Sequence, residues 1–598
     1  MCSRAWRWVF VALVWCRGVR ADDETEEATV RARAAPTAAT VVGHAEMERT
    51  GGVTLSDALR PQADVDLLGG GAGGATGRLS LRGSSPEETL IAIDGLRVSV
   101  RSSAALVAGV DPNLLPIALL QRVTIHRGPL SALWGPNAVA GVVELTTREP
   151  STPRALSGTL QYAAYLSEQE ASVAPTTPPM DDDDDLTGGR RPFYATRGQV
   201  MGAFRDRERF AVVGLSASYT GGWAPNTRSH LLDATVKVGR TYASGGAGYV
   251  LLRAYDAYSG VPPWGTLLGS DAFDADDRQA RQGMQAAAVL RRGIGAHASI
   301  EAAVSLGVSR AALYNPDGDV TAGTSAAQSL QRATEVHGRI AWTRDAFGPI
   351  GAVTIGADFG YESMNADAFS PVGAARGSLF LRDQRPFGAF TLDLAARLDL
   401  DALYGVFVSP RAALRVSGEL VRGEVSVGRA FRPPTFAERV WPVFVYSAPV
   451  HGAVGERGNL DARSERAWGA DLSVAVGGGA RPWLVTARGF GLYTEDFLRW
   501  ALDGDGYWTP RNTGEVWSAG ASLEASARVL PRLSLVGSAF WQTTRDAAAA
   551  LRPLAGEGAY LLYTLGIVGT GLLAVPVLAG SVAYAIGEAA GWRVVSTA

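Results

Sequence analysis

From residue 151 onward, apolar and polar residues alternate in segments of roughly ten, separated by Gly, Pro and Asp clusters. Between Trp517 and Arg528 one set is Trp517, Ala519, Ala521, Leu523, Ala525 and Ala527, and the other is Ser518, Gly520, Ser522, Glu524, Ser526 and Arg528. Ala211–Tyr219 and Leu533–Trp541 repeat the pattern. A period of two puts the sets on opposite faces of a sheet. A soluble sandwich would also alternate, but in shorter strands packed through one core. Long strands whose apolar face ends in Trp or Tyr suit a transmembrane barrel, with aromatics at the interface. At a spacing of roughly twenty residues per strand and connection, about twenty-two antiparallel strands are expected. A barrel that wide has a lumen that needs a plug. Ala559–Ile586 carries no charge and is long enough for a membrane helix, yet five Gly and Pro positions interrupt it. Two barrel strands joined near Val575-Pro576 are expected there.

Thr40–Pro150 has a different texture, that of a compact α+β unit. Thr54-Leu55-Ser56-Asp57 opens a short helix with a capping-box pattern. Leu79–Gly83 and Leu90–Gly95 read as strands, the second closing on an Asp-Gly turn. In Leu115–Thr147 the order is a short helix from Pro116, a strand through Val123–Ile125, a Gly128-Pro129 turn, a helical turn capped by Ser131, and a strand from Val142. Gly69–Gly74 satisfies G-x-G-x-x-G, but a strand follows it instead of a helix, so a loop is the better account than a dinucleotide site.

Asp22–Ala39 has no apolar periodicity and reads as a flexible leader; Glu27–Ala32 is its one strand-like piece. Arg4 and Arg7, an apolar run from Trp8 to Trp15 and Val19-Arg20-Ala21 form a signal-peptide pattern over residues 1–21. Both cysteines, Cys2 and Cys16, fall inside it, so the mature chain is expected to hold no disulfide and no thiolate metal site. A net charge of −3 gives no basic excess for nucleic acid. Lys237 is the single lysine; arginine carries the remaining positive charge. The six histidines are dispersed, none pairs with another at metal-ligand spacing, and no catalytic constellation appears, so an enzyme is not expected. His126, beside Arg127, reads as a strand residue. Asp181–Asp185 (Asp181, Asp182, Asp183, Asp184, Asp185) is either a solvated acidic loop or a structural Ca²⁺ site.

Several ordered motifs carry a resemblance. They are Leu79-Ser80-Leu81-Arg82-Gly83, Thr89–Val98, Arg127-Gly128-Pro129-Leu130-Ser131-Ala132-Leu133-Trp134-Gly135 and Ala140-Gly141-Val142-Val143, then Gly428–Glu438, Gly458-Asn459-Leu460-Asp461 before Glu465-Arg466, and Arg511-Asn512-Thr513-Gly514. The chain resembles a TonB-dependent outer-membrane receptor, and Leu115–Val123 most resembles the vitamin B12 (cobalamin) branch. It departs from the family at Ala140, at Glu144 and in its non-aromatic C-terminus, Val594–Ala598.

The resemblance implies a signal peptide over 1–21, a leader over 22–39, a plug over 40–150 and a barrel over 151–598. It implies a monomer in the outer membrane of a diderm bacterium, in contact with lipid and with no nucleic-acid partner. The function implied is active uptake of cobalamin or an iron-siderophore, powered by the TonB–ExbB–ExbD complex; a non-energised pore or adhesin is the alternative. The TonB-binding segment would be Glu27, Ala28, Thr29, Val30, Arg31 and Ala32, adding as a strand to its partner. Plug Arg82 and Arg127 would pair with barrel Asp471 and Glu524, and alternation independently sets both acids on the polar face. Ligand would meet plug loops at Gly73, Gly74, Ser84, Ser85, Pro86 and Arg97.

Overall fold

The computed structural model describes residues 39–544, apart from 51, 53, 63, 70–76, 99–109, 167–191, 222–226, 261–277, 316–326, 346–349, 368, 451–452, 479–480 and 531–532. The signal pattern, Glu27–Ala32, Gly73, Gly74, Asp181–Asp185 and Ala559–Ile586 lie outside the described residues.

The N-terminal unit runs β1 (Thr40–Gly43), α1 (His44–Arg49), α2 (Leu55–Leu59), β2 (Val65–Gly69), β3 (Gly77–Leu81), β4 (Thr89–Ile93), β5 (Leu96–Arg97), β6 (Leu120–Arg127), α3 (Ser131–Trp134) and β7 (Gly141–Thr147). Five strands form a sheet in the order β1-β6-β7-β4-β5, and β2-β3 is a separate pair. Met47, Leu55, Leu81, Ile117, Val123 and Ile125 are among the buried residues of its core. The Thr54–Asp57 capping box forms at the start of α2.

Two local expectations fail. Pro116 starts no helix: the single turn lies earlier, at Pro112–Leu114, and Pro116 makes an extended β-bridge to Thr54. Asp111 caps that turn by accepting from the Asn113 amide, which fixes its start upstream of Pro116. Ser131 does not cap α3; Leu130 holds that position, and the Ser131 hydroxyl accepts instead from the Phe431 amide of the barrel. A tertiary donor displaces the local capping role.

The barrel strands are β8 (Arg154–Leu166), β9 (Pro192–Asp206), β10 (Arg209–Thr220), β11 (Ser229–Thr241), β12 (Ala247–Gly260), β13 (Arg278–Ile294), β14 (Ala298–Asn315), β15 (Ala327–Arg344), β16 (Ala352–Ala366), β17 (Phe369–Phe387), β18 (Phe390–Asp401), β19 (Gly405–Ser417) and β20 (Val421–Arg432). After α4 (Phe436–Val440), β21 (Phe444–Val450) and β22 (Ala453–Glu456) come β23 (Glu465–Gly477), β24 (Trp483–Glu495), β25 (Leu498–Leu502), β26 (Tyr507–Asn512), β27 (Val516–Leu530) and β28 (Leu533–Thr544). Seventeen of these close into a barrel among the described residues, and β21, β22, β26 and β25 form a small sheet at one rim. Barrel strands of 12 to 19 residues exceed the roughly ten that a tilted strand needs to cross a bilayer.

The alternation is borne out. On β27, Trp517 and Leu523 face outward, each 51% exposed, while Ser522 faces in and is buried. On β10, Val213 and Leu215 face outward while Val212 and Ser216 are buried. The N-terminal unit sits in the lumen. Leu96 packs with Phe210, Tyr249 and Val289 of the wall, Leu119 packs with Met201 and Val212, and Val139 packs with Ala430 and Ala467. β7 leads directly into β8, so one rim is the joining rim. The connections β12–β13, β14–β15 and β20–β23 lie at the other.

Candidate functional site: the plug–barrel ion cluster

Arg82 and Gly83 follow β3 with φ of 57° and 62°, a left-handed turn that aims Arg82 at the wall. Its Nη1 lies 2.5 Å from Oδ1 of Asp471 on β23, and its guanidinium stacks 4.2 Å from the Phe490 ring centre on β24. Both charges are buried, at 8% and 9% exposure. The expected Arg82–Asp471 pair is therefore present.

Gly128 explains the second arginine–glycine motif. Its φ is 88°, and a Cβ there would lie 2.0 Å from Asp471 Oδ2. The Asp471 carboxylate thus contacts both motifs, by charge at Arg82 and by close approach at Gly128.

Arg127 is not a barrel latch. Its Nε and Nη2 donate to both oxygens of Asp64 in the plug, the second at 2.6 Å, and its Nη1 donates to Thr40 Oγ1 at 2.7 Å. Burial works against the Asp64 charge, but the Arg127 charge and hydrogen bonds outweigh it and hold the carboxyl at about 2. Glu524 has a different partner as well. Arg488 on the adjacent β24 places Nη1 2.9 Å from its Oε1, in an ion contact whose angle is not that of a hydrogen bond. Arg488 Nη2 also donates to Thr40 Oγ1, at 3.2 Å. The Arg127–Asp471 and Arg127–Glu524 pairings are thus replaced by Arg127–Asp64 and Arg488–Glu524. A bidentate carboxylate within the plug takes both guanidinium edges, and the wall neutralises its own glutamate. Thr40, the first plug strand residue, bridges the two arginines.

Several further anchors carry no local signal along the chain. Arg281 pairs with Asp111, and Arg253 donates to the Leu114 carbonyl. Arg291 donates to the Asp94 carbonyl at 2.5 Å. Lys237, 2% exposed, donates to Thr147 Oγ1 at 2.8 Å and sits 4.0 Å from the Tyr249 ring centre. The unusual Glu144 receives a hydrogen bond from His126 at 3.2 Å, which gives that departure a local partner. At the far rim, Arg432 is held by Glu465 and Glu438, and Glu438 also completes the α4 capping box with Thr435.

Of the ligand-facing expectations, Ser84 and Ser85 line a cavity of about 80 Å³ between plug and wall, with Arg82, Asp471, Phe490 and Gln542. Pro86 begins the one-turn helix beside it. Arg97 is turned elsewhere: it donates to the carbonyls of Trp134 at 3.1 Å and Pro136 at 2.8 Å, so it clasps a plug turn instead of facing ligand. Paired carbonyls satisfy a guanidinium in place of an open vestibule.

A family model for the TonB-dependent receptor plug domain matches residues 31–142, and one for the TonB-dependent receptor-like β-barrel matches residues 175–597. The chain belongs to the TonB-dependent receptors. The family is one of transport and not of catalysis, its members work with TonB, and its barrel lies in the outer membrane of Gram-negative bacteria. Among solved structures, the siderophore receptor PirA from Pseudomonas aeruginosa is similar at TM-score 0.65 and 15% identity, covering 86% of each chain. A ferric enterobactin receptor (PfeA) mutant from the same organism is similar at 0.64 and 14%, covering 85% of this chain and 81% of that one. The FrpB iron transporter from Neisseria meningitidis is similar at 0.63 and 12%, covering 85% and 80%. These likenesses concern the fold. Outer-membrane barrels turn tightly at the periplasmic rim and carry their longer loops outside; the short β9–β10 and β13–β14 connections lie at the joining rim and the long β12–β13 and β14–β15 connections at the other, so the joining rim reads as periplasmic and the opposite rim as extracellular.

Proposed function

We propose that this receptor takes up a ferric-siderophore-type ligand from the extracellular rim and releases it inward when TonB pulls on the segment ahead of Thr40. The observation that carries this reading is the Arg82–Asp471 pair, two residues from the Ser84–Ser85 lip of the plug–wall cavity. A ligand pressing on Ser84–Pro86 bears on the backbone that aims Arg82. A pull on Thr40 withdraws the hydroxyl between Arg127 and Arg488. Both inputs converge on one ionic cluster. The TonB-binding segment is assigned to Glu27–Ala32, with ExbB and ExbD as the energy source behind TonB.

The siderophore class is supported by the named ligands of the similar structures, and nothing beyond the resemblance of Leu115–Val123 favours cobalamin. Titrating the purified receptor with a ferric catecholate, a ferric hydroxamate and cyanocobalamin, read by tryptophan fluorescence, separates these. Saturable binding of an iron chelate supports the proposal. Binding of cyanocobalamin with none of either chelate overturns the ligand class.

A further inference from the structure

The outer wall facing the bilayer is apolar where β14 to β16 cross it. Val304, Leu306 and Val308 on β14, Ile340 and Trp342 on β15, and Phe359 and Tyr361 on β16 are all exposed. The same alternation carries two arginines onto this face. Arg310 lies two residues beyond Val308, and Arg332 is in step with Ile340; both are exposed. They are direct cross-strand partners. Neither has a hydrogen bond, ion pair or ring contact among the described residues.

Like charges opposite one another on a sheet repel. Their neighbours along the row do not relieve this. Gln282 stands beside Arg310 and Asn365 beside Arg332, both neutral amides. The next residue, Asp256, faces Gln282 and is already bound by His230 and by the Gln282 amide. The row therefore offers two unneutralised guanidinium groups flanked by amide groups, with no free carboxylate on it.

Its level in the membrane follows from the strand. Trp342 and Arg332 are ten residues apart on β15. A rise of about 3.4 Å per residue and a tilt of about 40° separate them by ~26 Å along the barrel axis. That is the height of the apolar band of such barrels, about 25 Å. With Trp342 at the periplasmic interface, Arg332 and Arg310 stand at the headgroup level of the outer leaflet.

We propose that Arg310 and Arg332 form a binding site for the phosphate of an outer-leaflet lipid, with Gln282 and Asn365 as flanking amide groups. Guanidinium forks match phosphate oxygens in pairs. Acyl chains of the same lipid lie along the Val308, Leu306 and Val304 stripe below. A free phosphate ion would gain nothing from that stripe, which favours the lipid as the source. The site is on the outside of the wall and is separate from the transport path.

The test uses the full-length receptor purified in detergent and native mass spectrometry. The probes are a bis-phosphorylated glucosamine lipid, its dephosphorylated counterpart and inorganic phosphate. The expected result is one phosphorylated lipid retained by the wild type, little of the dephosphorylated lipid, and no displacement by millimolar phosphate. Arg310→Gln/Arg332→Gln should weaken retention by about 10-fold or more, and Arg310→Lys/Arg332→Lys should retain an intermediate amount. Heat-modifiable gel migration confirms that each variant is folded. Equal retention by the double Gln variant overturns the site, and displacement of the lipid by inorganic phosphate at similar concentration overturns the lipid as its ligand.

Discussion

Removing one partner of the Arg82–Asp471 pair leaves the other charge almost dry. Each is under a tenth exposed, and the pair spans plug and wall. Breaking a buried pair in this way costs about 3–5 kcal/mol, against little net loss when both charges are removed together. At ~1.4 kcal/mol per tenfold, that shifts the plug-release equilibrium by roughly 10²-fold to several 10³-fold. The measurement is urea-dependent conductance of the receptor in a planar bilayer, which reports when the plug leaves the lumen. Arg82→Gln and Asp471→Asn should each lower the urea midpoint strongly. The double variant should lie well short of their sum, with a coupling of about 2 kcal/mol or more. Arg82→Gln combined with Glu524→Gln should instead be additive within about 0.5 kcal/mol, because Glu524 belongs to Arg488. Additivity at Arg82 and Asp471 would refute the latch. Strong coupling at Arg82 and Glu524 would refute the pairing.

Gly128→Ala forces an L-residue into a left-handed turn against Asp471, and should weaken plug retention by at least about 1–2 kcal/mol; Asp471→Ala added to it should remove the steric part in the same conductance assay. Asp64 sits below its ordinary 3.8, so its contribution of about 2–3 kcal/mol is present above that value and disappears as pH falls towards 2. Unfolding of the plug followed against pH should show that loss, and Asp64→Asn should abolish the step while lowering plug stability at neutral pH. Lys237→Met removes the donor to Thr147 and should speed hydrogen exchange around Asp94 and Thr147, by an amount equivalent to about 1–3 kcal/mol.

The period-two pattern made the wall legible because each strand has one face on lipid and one on the lumen, so burial follows sequence parity directly. The Asp94-Gly95 turn was legible from its residue types, and both residues adopt positive φ. Arg82-Gly83 was not: it reads as the end of a strand, whereas the strand stops at Leu81 and the pair makes a left-handed turn. Nor was the partner of Arg127. Asp64 is 63 residues away and carries no local signal, and an acid on the polar face of β27 looks like an equally good partner until Arg488 is seen beside it. Arg97 misled in the same way: its loop position suggested an open face, whereas the carbonyls of Trp134 and Pro136 folded back to claim it. Lys237 stood out as the single lysine, yet only the register of β11 places it under the plug's last strand.

On the proposed function, this receptor moves its ligand by work delivered through the N-terminal segment. Uptake of a radiolabelled ferric siderophore by cells expressing the receptor, measured with and without a protonophore and in Val30→Pro, tests it most directly. Both the protonophore and Val30→Pro should abolish accumulation while leaving surface binding unchanged. Accumulation that persists through both treatments would contradict it.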